Sequence, residues 1–125
     1  MKNIAIVFCL VVLSSCGGGD DGSDYVPPVY GSIALNLITG ASAISKNYEW
    51  QSDANDAAVS ACGSNCVKVF EFGSYECAAL ARGSNLAFGW ASNWRKSNAE
   101  SDARDQCGAH AGQNCVVVLS ECNSS

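Results

Sequence analysis

Histidine is nearly missing from this chain of 125 residues: His110 is the single copy. That excludes a metal centre built on several histidines, and no HExxH, P-loop or Gly-rich dinucleotide string is present. Basic residues are also scarce, with seven Lys and Arg against twelve Asp and Glu and a net charge of −5. Nucleic acid needs a basic footprint and is excluded as a partner; so is electrostatic adhesion to anionic lipid. Long hydrophobic runs are lacking too. The apolar stretch from Ile4 to Leu13 has ten residues, whereas a membrane-crossing helix takes about twenty.

That short run has a different meaning. Met1-Lys2-Asn3 gives it a positive start, and the small pair Ser14-Ser15 leads into Cys16. The arrangement reads as a secretory signal over residues 1–15. Its end, Leu13-Ser-Ser-Cys16, resembles the bacterial lipobox. The resemblance implies cleavage before Cys16, attachment of lipid to it, and a mature protein held at the membrane by acyl chains. Gly17, rather than Asp, after the cysteine implies the outer membrane, facing the periplasm.

Residues 16–28 follow as GGGDDGSDYVPP after the cysteine. This composition buries too little apolar surface to offset ordering, so a flexible tether is expected. The folded part is one domain over residues 29–125. A domain this small buries a modest share of its surface, and exported domains of this size often compensate with disulfides. Of the eight cysteines, Cys9 lies in the leader and Cys16 carries lipid. The remaining six, Cys62, Cys66, Cys77, Cys107, Cys115 and Cys122, imply three bridges.

The domain matches itself at an offset of 45 residues. Ser32-Ile-Ala-Leu lies over Cys77-Ala-Ala-Leu80, Ala54 and Ala58 over Ala99 and Ala103, and Cys62-Gly63 over Cys107-Gly108. After four added residues, Asn65-Cys66-Val-Lys-Val meets Asn114-Cys115-Val-Val-Val. Each half, about 30–73 and 77–122, reads as two strands, a helix and a third strand. Ser52 and Ser97 are the expected N-caps, with Glu100 completing a capping box, and Gly63 is the expected left-handed exit from the first helix. The last strand, CVVVLS, is expected to be buried on both faces. The alanine stripes on both helices suit close packing on a sheet. The fold class is therefore α+β: duplicated ββαβ units, an antiparallel or mixed sheet with the two helices packed on one face, and disulfides for stability. Equivalent positions favour equivalent local bonds, so Cys62 is paired with Cys66 and Cys107 with Cys115. That leaves Cys77 with Cys122, expected to tie one half to the other.

Taken in order, YGSIALN near the start, the helix ending in Cys-Gly, Asn-Cys-Val-x-Val, Cys77-Ala-Ala-Leu-Ala and Phe88-Gly89-Trp90 resemble the exported bacterial domain of unknown function 4189. The resemblance covers about residues 30–122. It implies an exported, cysteine-paired, duplicated module and brings no catalytic residues to transfer.

No cofactor is expected, and no catalytic set is assigned. His110 sits in a Gly-flanked loop, a poor platform for a base. The carboxylates Glu49, Asp53 and Asp56, and again Glu100, Asp102 and Asp105, cluster before and in the two helices; Asp53 and Glu100 are expected in first turns, where the dipole favours negative charge. Tyr48 and Trp50 precede the first helix; Trp90 and Trp94 precede the second. Trp50, Trp94 and Arg95 are the candidate partner-binding residues, since exposed tryptophan suits protein hot spots or sugar stacking. The expected function is a non-enzymatic envelope lipoprotein that binds protein, such as an inhibitor or immunity protein against a secreted toxin or cell-wall hydrolase. A glycan-binding or structural envelope module is one alternative, and a small hydrolase using the acidic clusters another.

Overall fold

A computed structural model describes residues 25–124. The leader, Cys16 and the tether up to residue 24 lie outside the described residues. The elements run β1 (Tyr30–Leu35), β2 (Ser42–Tyr48), α1 (Gln51–Cys62), β3 (Val67–Phe72), β4 (Cys77–Arg82), β5 (Phe88–Asn93), α2 (Lys96–Ala109) and β6 (Val116–Cys122). This is the expected ββαβ order, twice.

The strands form two antiparallel three-stranded sheets, β2-β1-β3 and β5-β4-β6, rather than one continuous sheet. Side-chain alternation explains how they assemble. Ile33 and Leu35 in β1, with Ala78 and Leu80 in β4, point into a shared core with Phe72 and Phe88. The intervening Ala34 packs on Ala58 of α1, and Ala79 and Ala81 pack on Ala99 and Ala103 of α2. The sheets thus stack face to face, and each helix covers the outer face of its own sheet. The layers are α1, first sheet, second sheet, α2. In β1 and β4 the side chains under the helices include the small Ala34, Ala79 and Ala81, and the large ones, Ile33, Leu35 and Leu80, face the partner sheet.

The halves correspond closely, with one change of register. Ile33 pairs with Phe70 and Leu80 with Leu119, and a β-bulge follows each pair. In β1 and β4, Ile33 therefore matches Leu80, two residues further along than the sequence offset gives. A slip of two preserves which face each side chain occupies, so hydrophobic pattern cannot detect it. Gly31 then matches Ala78. The ring of Phe72 occupies the place where a side chain at Gly31 would stand.

Several local expectations change. The helix N-caps are Trp50 and Arg95, both extended and without a side-chain cap; Ser52 and Ser97 lie inside the first turns. Other groups fix these helix starts. Gln51 Nε2 donates to the Gly31 carbonyl at 3.0 Å, and Arg95 N–H donates to Asn93 Oδ1 at 3.1 Å. Gly63 leaves α1 at φ 110° as expected, but Gly108 remains inside the longer α2. β6 is an edge strand and only half-buried, with Val116 exposed.

The three disulfides are Cys62–Cys66, Cys77–Cys122 and Cys107–Cys115. Cys77 and Cys122 are register partners in β4 and β6. This bridge closes the second sheet and does not join the halves; each of the three lies within one half.

Polar contacts join the halves instead. Asn123, nearly fully buried, donates from Nδ2 to the carbonyls of Phe72 (3.2 Å) and Gly73 (2.8 Å) and accepts from Asn47 N–H at 2.7 Å. Lys46 Nζ meets Glu121 Oε1 at 2.7 Å between β2 and β6. The hydrogen bond from Lys46 lowers the Glu121 carboxyl below its usual range. Replacing Asn123 with Leu is expected to cost about 2–3 kcal/mol, since it strands buried backbone groups. Urea unfolding of the two proteins measures this, and an unchanged midpoint refutes it.

Candidate functional site

β1, β4 and the ends of β2, β3, β5 and β6 bring both tryptophan segments to one end of the molecule. Tyr30 at the start of β1 pairs with Tyr48 at the end of β2, and Cys77 at the start of β4 pairs with Asn93 at the end of β5. Asn123 holds the neighbouring ends of β2, β3 and β6 together. Trp50 and Trp94 follow β2 and β5 respectively and are 66% and 71% exposed. Trp90 does something else: it packs half-buried against the central core.

Trp94 and the exposed Arg95 are neighbours at the start of α2. Trp50 begins α1, which lies in the opposite outer layer. The structure thus brings Trp94 and Arg95 together, and separates Trp50 from them by the thickness of two stacked sheets, whose faces pack about 10 Å apart. The two acidic clusters are divided in the same way. Glu49, Asp53 and Asp56 belong to the α1 side, and Glu100, Asp102 and Asp105 to α2.

Trp50 borders a cleft of about 360 Å³, lined by Tyr25, Pro27, Pro28, Tyr30, Glu49 and Trp50. Its walls are fixed at several points. Val29 N–H donates to Ser74 Oγ at 2.9 Å, anchoring the segment that carries the prolines. The Trp50 carbonyl accepts from Ala54 N–H at 3.1 Å, and Gln51 ties the helix start to β1. The tryptophan backbone is thus set while its ring stays open to solvent.

A second cleft, of about 400 Å³, lies at the opposite end of β1. Asn36, Leu37, Ile38, Thr39, Asn65 and Val67 line it. Ile38 is 83% exposed. Asn36 shapes this turn: its Oδ1 accepts from the N–H groups of Ile38 (2.9 Å) and Thr39 (3.1 Å), and its Nδ2 donates to the Ser64 carbonyl at 3.2 Å. The sequence reading missed this surface. Its signal was Leu37-Ile38, an apolar pair set within a turn between two strands.

Two further polar side chains have partners within the fold. His110 is exposed at the end of α2, and its Nδ1 lies 3.0 Å from the Phe88 carbonyl, so it is the donor there. Glu71 accepts from Asn55 (2.8 Å) and Lys68 (3.0 Å); the bond from Asn55 contributes most to lowering its pKa. Among the described residues, no group of three or more His, Cys, Asp and Glu gathers to hold a metal ion.

No curated protein and no solved structure matches the chain. The model of one family, described as Domain of unknown function (DUF4189), matches residues 30–122. That span runs from the first residue of β1 to the last of β6, so the match takes in the whole duplicated, disulfide-bonded fold, and the chain belongs to this family.

Proposed function

We propose that this protein is a lipid-anchored protein of the bacterial envelope that works by binding another protein, as an inhibitor or immunity protein against a secreted toxin or cell-wall hydrolase. The observation that carries this reading is the exposure of Trp50 and Trp94 at the starts of two helices on a disulfide-stabilised scaffold. Aromatic side chains held out by fixed backbone lose little freedom on binding and bury a large area, as hot-spot residues do. The acidic balance of the chain favours a basic partner and speeds encounter with it.

The anchor has its own test. Metabolic labelling with a clickable fatty acid is expected to tag the wild type and leave Cys16→Ser unlabelled. Equal labelling of both excludes lipid on Cys16.

Partner binding is tested by cross-linked capture of secreted and envelope proteins, followed by affinity measurement on the purified partner. Trp94→Ala is expected to weaken that affinity about thirtyfold, the loss for a hot-spot tryptophan worth about 2 kcal/mol. Affinity untouched by both Trp94→Ala and Trp50→Ala removes the tryptophans from the interface. The aromatic walls of the Trp50 cleft also favour sugar stacking, the second reading. Under it, the purified domain retains glycan and captures no protein.

A further inference from the structure

We propose that the Trp50 cleft is a receptor for a single cationic side chain, arginine above all, presented by a basic protein partner. The inference rests on the protein-binding reading and adds the chemistry of the contact. Three aromatic residues, Tyr25, Tyr30 and Trp50, line one cleft together with the acidic Glu49. Aromatic faces attract a cation through the ring quadrupole, with tryptophan the strongest and guanidinium the more frequent guest. A glutamate among the lining residues can supply charge-assisted hydrogen bonds to the same group. Pro27 and Pro28 add apolar surface for the methylene stem.

The surrounding charge points the same way. From Glu49 to the end of α1 the chain carries three acidic residues, Glu49, Asp53 and Asp56, and no Lys or Arg. Lys46, the nearest basic residue before them, is engaged by Glu121. The cleft volume of about 360 Å³ leaves room for a whole side chain. The backbone at Val29 and at the start of α1 is pinned before any guest arrives, by Ser74 and by Gln51 on Gly31. Ordering these two walls on binding costs correspondingly little, and Tyr25, at 73% exposure, is left to close over the guest.

The test uses capped arginine and capped citrulline, which share shape and differ in charge. Protein labelled with nitrogen-15 reports through the indole N–H resonance of Trp50, assigned by its loss in Trp50→Ala. Arginine is expected to shift that resonance with an apparent affinity about fivefold above citrulline. Glu49→Gln is expected to reduce the arginine response and leave citrulline unchanged. Equal responses to both compounds, or no response to either, overturn the inference. So does a shift produced by a chitin trisaccharide in place of arginine, which makes the cleft a sugar site. Because the readout is confined to Trp50, failure here is separate from failure of the protein-binding reading, which the cross-linked capture reports.

Discussion

Alanine at position 89 is expected to lower the stability of the domain by about 2–3 kcal/mol, the range for overpacking a close-packed site. Gly89 lies in β5 between Phe88 and Trp90, whose side chains enter the central core. Its own outward face lies under α2. A methyl group there would land on the backbone of Cys107 and Ala103. Backbone cannot rotate aside as a side chain does, so the helix must lift, and Ala99, Ala103 and Cys107 would lose their contacts with β4. Gly108 provides the control. It lies in the same helix, and nothing stands within 4 Å of a methyl placed there. Gly108→Ala is expected to be neutral or to stabilise by up to about 1 kcal/mol through helix propensity. Chemical denaturation of both variants decides the matter; equal effects in the two would refute close packing as the cause.

Loss of the Cys77–Cys122 bridge is expected to be the most damaging of the three. Constraint of the unfolded chain grows with the loop closed. The separations of 45, 8 and 4 residues correspond to about 4, 2.5 and 2 kcal/mol respectively. The bridge also joins β4 to an edge strand at the end of their ladder. Three paired variants, each with both cysteines changed to alanine, compared by urea unfolding, give the ranking directly. A larger loss from Cys62 and Cys66 than from Cys77 and Cys122 would overturn it.

The repeat was legible because Cys-Gly and Asn-Cys-Val are costly to match by chance, and the bridges followed from equivalence. Element types were legible because Ser32-Ile-Ala-Leu alternates with period two while Ala54, Ala58 and Cys62 recur with helical spacing. The division into two sheets was not. Alternation says that Ile33 and Ala34 face opposite ways, and it says nothing about what covers either face. The register of β1 against β4 was hidden for the related reason that a two-residue slip conserves facing. Helix starts were misplaced because Ser52 and Ser97 look like caps, whereas Gln51 and Asn93 make the deciding hydrogen bonds. At the candidate site, Trp50 and Trp94 were legible as residues at matching places. Their assignment to opposite outer layers depends on the stacking of the sheets, and the part played by Tyr25, Pro27 and Pro28 depends on the path of a segment whose composition reads as tether.

The central core also says something about how such a molecule is put together. Ile33 and Leu80, Phe70 and Leu119, Ile44 and Trp90 occupy matching stations on the two sheets, and these matching surfaces meet each other. An interface in which one patch meets its own counterpart is the isologous contact of a twofold homodimer. Since each bridge stays within its own half, only the short passage from Gly73 to Glu76 makes the two covalently one. In this sense the protein is a dimer written as a single chain. The fusion frees its two halves from having to be identical: one pairs Trp50 with a cleft that Glu49 lines, and the other pairs Trp94 with Arg95.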